Sequence, residues 1–258
     1  MSFRLSLFRH FVLALCCSVP LAATAESVEL RVASQLGTEP KFLIDESSGR
    51  ITGICIDIMR AVERADPGLK FVGVQRWMPL VRITTELSAG LQDAACALQR
   101  TPERERKFTY LQPALYPVDF FLLARMDDPV VVNSWEDVRS LRPASVVLVN
   151  RGFGASATLQ AIPGIVVDSS TTETRLNLEK LIAGRARLYF HRGPGIARML
   201  AHAGVTDKVR VLPTVMLHAE FHFVLGKHVA PATANRLRRV LAAMEQSGEL
   251  KAIYRKWD

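Results

Sequence analysis

Arg104 is the side chain whose type and setting best suit capture of a small anion. It stands in the run Thr101-Pro102-Glu103-Arg104, just past the small apolar stretch Asp93 to Leu98. A guanidinium is a planar, two-pronged donor whose shape matches a carboxylate. Arg100, Arg106 and Lys107 lie close by, so a solvated basic helix face is the competing reading of the same run. Other chemistries find less support. The six His are dispersed, none with an evident nucleophile partner, and no Cys/His cluster has metal-ligand spacing. No metal or organic cofactor is expected.

Such an arginine needs a frame. Asp93 to Leu98 has the pattern of a strand covered on both faces. Thr101 suits an N-cap, Pro102 the first helical turn, and Glu103 a place where the helix dipole favours negative charge. Arg104 then emerges near the strand's carboxyl end, the edge at which open α/β sheets bind ligands. Around this unit the chain alternates. Strands are expected over Val28 to Ser34, Phe71 to Gln75, Asp119 to Arg125, Ser145 to Val149, Ile165 to Asp168, Arg187 to His191, Val209 to Leu212 and Glu220 to Leu225. Helices are expected from Ile54 to about Ala65, Pro79 to Ala89, about Ala155 to Ala161, Thr172 to Ala183, Pro231 to Gln246 and Gly248 to Trp257, with a short one after the N-cap Ser134. Phe108 to Tyr116 reads as a Pro-punctuated connection. This alternation predicts an α/β protein with largely parallel sheets. The series runs twice, over 28 to 110 and 145 to 212, which suggests two lobes.

The 258 residues, 49% hydrophobic, suffice for a core. Residues 1–25 read as a signal peptide. Arg4 and Arg9 precede the apolar Phe11 to Leu21, and Ala23-Thr24-Ala25 fits the small-x-small cleavage rule. The apolar run is too short for a membrane span. Cys16 and Cys17 lack the small residue that a lipoprotein signal wants before its cysteine. An exported, soluble, periplasmic protein is expected. Removing Arg4 and Arg9 lowers the net charge from +8 to about +6. The basic residues are scattered, so nucleic acid is a poor partner and an anionic small ligand a better one. Two cysteines remain, Cys55 and Cys96. Export permits a disulfide between them, and their apolar settings equally suit two buried thiols.

The chain resembles the periplasmic solute-binding proteins of amino-acid-type ABC importers. The likeness rests on Gly49-Arg50-Ile51-Thr52-Gly53-Ile54-Cys55-Ile56-Asp57-Ile58, on Gly90 to Phe108 with its Thr-Pro-Glu-Arg block, on Ala183-Gly184-Arg185, and on Ser247-Gly248-Glu249-Leu250 through Trp257. It spans the whole mature chain. It implies the type II two-lobed α/β fold with two crossing hinge strands, placed at about Asp119 to Arg125 and Glu220 to Gly226. Lobe 1 would hold 26–119 and 222–258, and lobe 2 would hold 120–221. A ligand binds between the lobes and a hinge closes on it. A monomer working with an inner-membrane permease is expected.

The resemblance also assigns a site. Arg104 would grip a ligand carboxylate, with Gln99 and the Ala97 backbone at the end of the preceding strand. Trp77 would cover the ligand, or else anchor helix to sheet in the core. In the second lobe the turn Arg151-Gly152-Phe153-Gly154 lacks the usual Thr, so backbone N–H groups, with Gly154 among the ligand-binding positions, together with Ser156 and Arg151 must serve. Two departures stand out. Arg192 occupies the place where α-amino-acid binders carry an Asp for the ammonium, and Glu39 replaces an aromatic residue in the first loop. Either Glu39 supplies the missing acid or the ligand has no amine. A small organic anion between Arg104 and Arg192 is the preferred reading, against an Arg192 that points to solvent. Two alternatives share the scaffold. A cyclic-acid dehydratase would need an acid or base in the cleft, for which Glu39 and His191 are the candidates. A sensory module would signal on closure. His191 also reads as a strand-end residue with a backbone partner.

Overall fold

The computed structural model describes residues 27–141 and 145–257; the signal-peptide reading of 1–25 lies outside them. In chain order the first elements are β1 (Val28–Arg31), β2 (Ser34–Gln35), β3 (Leu43–Ile44), β4 (Ile51–Thr52), α1 (Ile54–Ala65), β5 (Leu69–Val72), β6 (Trp77–Met78) and α2 (Leu80–Ser88). There follow β7 (Ala94–Gln99), α3 (Pro102–Lys107), β8 (Phe108–Tyr110), β9 (Tyr116–Arg125), α4 (Trp135–Ser140), β10 (Val146–Leu148), α5 (Gly154–Gln160) and β11 (Val166–Asp168). The last are α6 (Thr174–Ile182), β12 (Leu188–Arg192), α7 (Ile196–His202), β13 (Val209–Val211), β14 (Leu217–Gly226), α8 (Pro231–Gln246) and α9 (Glu249–Trp257).

Two ten-residue strands, β9 and β14, tie the molecule together. They pair antiparallel from Leu217↔Phe120 to Phe221↔Tyr116. Beyond that ladder each joins a different neighbourhood. β9 runs on beside β12 and β13, whereas β14 runs on beside β7 and β8. The path β11-β10-β12-β9-β14-β7 therefore crosses from one lobe to the other through two strands. This is a two-lobed α/β fold with a crossing-strand hinge. The expectation of largely parallel sheets needs correction. β1–β5, β2–β6, β10–β11 and β10–β12 are parallel, but every ladder of β9 and β14 is antiparallel. A strand that leaves one lobe for the other must run against the strands it joins.

Each lobe packs helices on its strands. α1 buries Ile54, Ile58, Ala61 and Val62, and α8 buries Leu237, Leu241 and Met244 at helical spacing. One core cluster continues from these residues through Val118, Phe120 and Leu122 of β9 to Val147, Leu159 and Phe190. A second gathers Met78, Leu80, Leu87, Leu98 and Phe108, and a third Leu148, Leu178, Leu181, Tyr189 and Leu200. Cys55 of α1 and Cys96 of β7 form a disulfide, which settles the alternative left open by their apolar settings.

Candidate functional site

The carboxyl ends of β7 and β12 face each other across a cavity of about 40 Å³. Gln35, Thr38, Lys41, Ala97, Gln99 and Arg104 line it from one lobe, Asn150, Gly154, His191 and Arg192 from the other. Phe120, Phe190, Phe221, Phe153, Leu80 and Leu98 supply apolar walls. Lys41, Arg104 and Arg192 are each at most 9% exposed, and no carboxylate is among the lining residues.

Local structure places each cation. Thr101 caps α3, its Oγ1 accepting from Arg104 N at 3.3 Å, with Pro102 in the first turn. The guanidinium then turns back toward β7: Arg104 Nη1 donates to Gln99 O at 3.0 Å and Nη2 crosses the cleft to Gly152 O at 2.7 Å. Lys41 rides on a loop held by the start of α1. There Ile54 N donates to Pro40 O and Cys55 N to Lys41 O. Gly53, at φ 122°, permits this approach, because a Cβ would sit 2.6 Å from Pro40 O. Lys41 Nζ donates to Gln35 Oε1 at 2.7 Å and to Ala97 O at 2.8 Å. Arg192 ends β12 and reaches the opposite lobe, Nη2 donating to Glu39 O at 3.0 Å and Gly37 O at 3.4 Å.

Electrostatically the site is starved of negative charge. Burial pushes the Lys41 ammonium well below its ordinary value, and the charges of Arg192 and Arg104 push the same way. Burial likewise lowers Arg104 and Arg192. An uncompensated buried charge costs on the order of several kcal/mol. Carbonyl dipoles answer part of this and the nearby Glu39 charge favours the Arg192 guanidinium; an anion in the cavity would add to both. Titratable groups perturbed by burial in a cleft are a signature of functional sites.

The structure brings together Arg104, Gln99, Ala97, Gly154 and Arg192 around this cavity. Gln99 Nε2 donates across the cleft to Thr158 Oγ1 at 3.3 Å. Ala97, at φ 57°, is left-handed, and its carbonyl is engaged by Lys41. Gly154 packs so closely on Gln99 that a Cβ there would lie 2.8 Å from Gln99 Cβ. Trp77 lies outside the lining. It pairs with Ser34 in β6 and packs its half-buried ring on the main core, the anchoring alternative. Glu39 is also outside. Its carboxylate lies in a neighbouring cavity of about 230 Å³, with Oε2 3.3 Å from His202 Nδ1, so it does not share the central cavity with His191. Arg151 is exposed, and Ser156 is buried but does not line the cavity. Arg192 is not a surface residue. His191 has the backbone partner expected of it, Nδ1 lying 2.9 Å from Arg192 O, and burial with the Arg192 charge brings it down to about 3. Sequence reasoning missed Lys41. The only signal was a lone cation between Pro40 and Phe42 in an otherwise apolar corner of the loop.

A hinged pair of α/β lobes with polar groups converging between them defines the class of two-lobed binding proteins. The model of bacterial extracellular solute-binding proteins, family 3, matches residues 30–258, and the chain belongs to that family. A probable amino-acid ABC transporter-binding protein of Haemophilus influenzae is 25% identical over 249 residues, covering 92% of this chain and 88% of its own length. Among solved structures, a histidine kinase sensor domain with similarity to periplasmic binding proteins matches at TM-score 0.74 and 19% identity, over 90% of this chain and 96% of its own. A putative L-cystine ABC transporter protein from Listeria monocytogenes matches at 0.72 and 21%, over 89% and 95%. An ancestral amino acid-binding protein, a precursor of cyclohexadienyl dehydratase, matches at 0.69 and 22%, over 89% and 94%. These structural likenesses concern the fold. The family is one of binding proteins rather than enzymes. No helix among the described residues is long and apolar enough to cross a membrane.

Proposed function

We propose that this protein is a periplasmic receptor that captures a small carboxylated solute without an ammonium group and presents it to an ABC permease. The observation that carries the reading is three buried cations, Lys41, Arg104 and Arg192, around one cavity whose lining holds no carboxylate. An α-ammonium entering that cavity would meet like charge and no anionic partner; an organic acid would meet convergent donors. Arg104 and Arg192 come from opposite lobes, so one anion between them draws the lobes together. Lobe 1 comprises 26–119 and 222–258, and lobe 2 comprises 120–221. The name of the Haemophilus influenzae relative supports the transporter role. A signal peptide ending at Ala25, a monomeric state and an inner-membrane permease partner complete the reading.

A thermal-shift screen of mature protein against amino acids, monocarboxylates and dicarboxylates tests it. At a hundredfold excess over Kd a ligand adds about 2.7 kcal/mol, which raises Tm by roughly 5–10 °C for a chain of this size. Organic acids are expected to give that shift and zwitterionic amino acids none. Shifts from amino acids alone would overturn the reading.

A further inference from the structure

His191 offers an unused acceptor among the cations around it. Its ring is 4% exposed and lines the cavity. Nδ1 lies 2.9 Å from the Arg192 carbonyl oxygen. A carbonyl only accepts, so Nδ1 carries the proton and donates. Burial and the positive charge of Arg192 keep the ring neutral, which leaves Nε2 as a lone pair. That atom is buried and has no hydrogen-bond partner. Buried polar atoms are nearly always satisfied, and an exception calls for an explanation. The surrounding donors do not supply it. Lys41 is directed to Gln35 and Ala97, Arg104 to Gln99 and Gly152, and Arg192 to Gly37 and Glu39. A carboxylate could not satisfy Nε2 either, since both are acceptors.

Resting on the reading of the cavity as an organic-acid site, we propose that His191 Nε2 accepts a hydrogen bond from a hydroxyl group of the bound acid, so that the preferred ligands are hydroxy acids. His191 and Arg192 are consecutive residues at the end of β12. Both residues line the cavity, so an acid whose carboxylate is held by Arg192 can present a hydroxyl group to His191. The hydroxyl donates to Nε2, and its oxygen remains free to accept from the cationic side. A ligand lacking it leaves the lone pair desolvated and unanswered, the asymmetry by which buried polar groups discriminate most sharply.

The test is calorimetric titration of mature protein with three matched pairs: lactate and propionate, malate and succinate, mandelate and phenylacetate. The hydroxylated member of at least one pair is expected to bind about tenfold or more tightly than its partner. His191→Phe keeps the ring shape and removes the acceptor, so it should abolish that preference. In wild-type protein the ¹⁵N resonance of His191 Nε2 should shift on adding the hydroxy acid and not on adding its partner, a readout that needs no variant. Equal binding within every pair, an unmoved Nε2 resonance, or a preference that survives in His191→Phe would each overturn the role of His191 while leaving the anion site standing. If no acid of either kind binds, the anion site itself fails.

Discussion

Lys41 illustrates how a binding site can weaken the fold that carries it. In the unfolded chain its ammonium is solvated and titrates near 10.5; in the folded protein burial and two guanidinium neighbours push it well below that value. For a base with a depressed folded value, the unfolded state binds more protons, so stability rises as pH climbs toward 10.5. The unliganded protein should accordingly gain stability as pH rises toward 10.5 in urea denaturation, and Lys41→Met should flatten that rise while weakening anion binding. A profile unchanged by Lys41→Met would place the ammonium in solvent. His191 has the same sign at acid pH: ordinary near 6.5 unfolded and about 3 folded, it opposes folding progressively as pH falls from 6.5 toward 3. Exchange of His191 for Phe should remove that share of the acid loss.

At the scale of elements, α3 exists largely to aim one side chain. Its six residues bury Arg104, and the Thr101 cap fixes where the helix begins. Thr101→Ala should cost about 1 kcal/mol of stability and, by loosening the first turn, weaken anion binding as well; a stability loss with unchanged affinity would separate the cap from the site. The disulfide joins α1, whose start holds the Lys41 loop, to β7, whose Ala97 carbonyl receives the Lys41 ammonium. Closing a 41-residue separation is worth about 4 kcal/mol in the chain-entropy account. Replacing both Cys55 and Cys96 by Ala should lower urea stability by roughly 2–5 kcal/mol.

These elements also mark where sequence patterns inform and where they stop. α1 and α8 were legible because their apolar positions recur at 3.6-residue spacing and their ends carry stops. The Val28 to Ser34 strand splits instead, because β1 pairs with β5 while Ser34 turns to pair with Trp77; local alternation does not reveal a change of partner. Phe108 to Tyr116 contains β8, whose three residues take their register from β14. α7, short and behind Arg192-Gly193-Pro194-Gly195, has too few turns to show a period. In the site, Arg104 was legible because its neighbours announce a helix start. Lys41 was not, because its burial comes from α1 and β7, remote in the chain.

The whole molecule functions by how closely its lobes approach. Arg104 to Gly152 O, Arg192 to Glu39 O and Gln99 to Thr158 all cross the cleft, so the described arrangement is closed around the cavity. Gly154 is a close contact across the cleft that can be altered without straining its own backbone. It begins α5 without a left-handed φ, and an added Cβ would lie within 2.8 Å of Gln99 Cβ, an atom fixed to the strand backbone. Gly154→Ala should leave each lobe intact, since Ala is the better helix former, and should wedge the lobes apart. Apparent affinity scales with the fraction of molecules able to close, so a tenfold drop in that fraction weakens binding about tenfold. Small-angle scattering in saturating acid should then show a larger radius of gyration for the variant than for wild type. An equally compact, equally tight Gly154→Ala protein would mean that the ligand is held by one lobe alone, and that closure contributes nothing to capture.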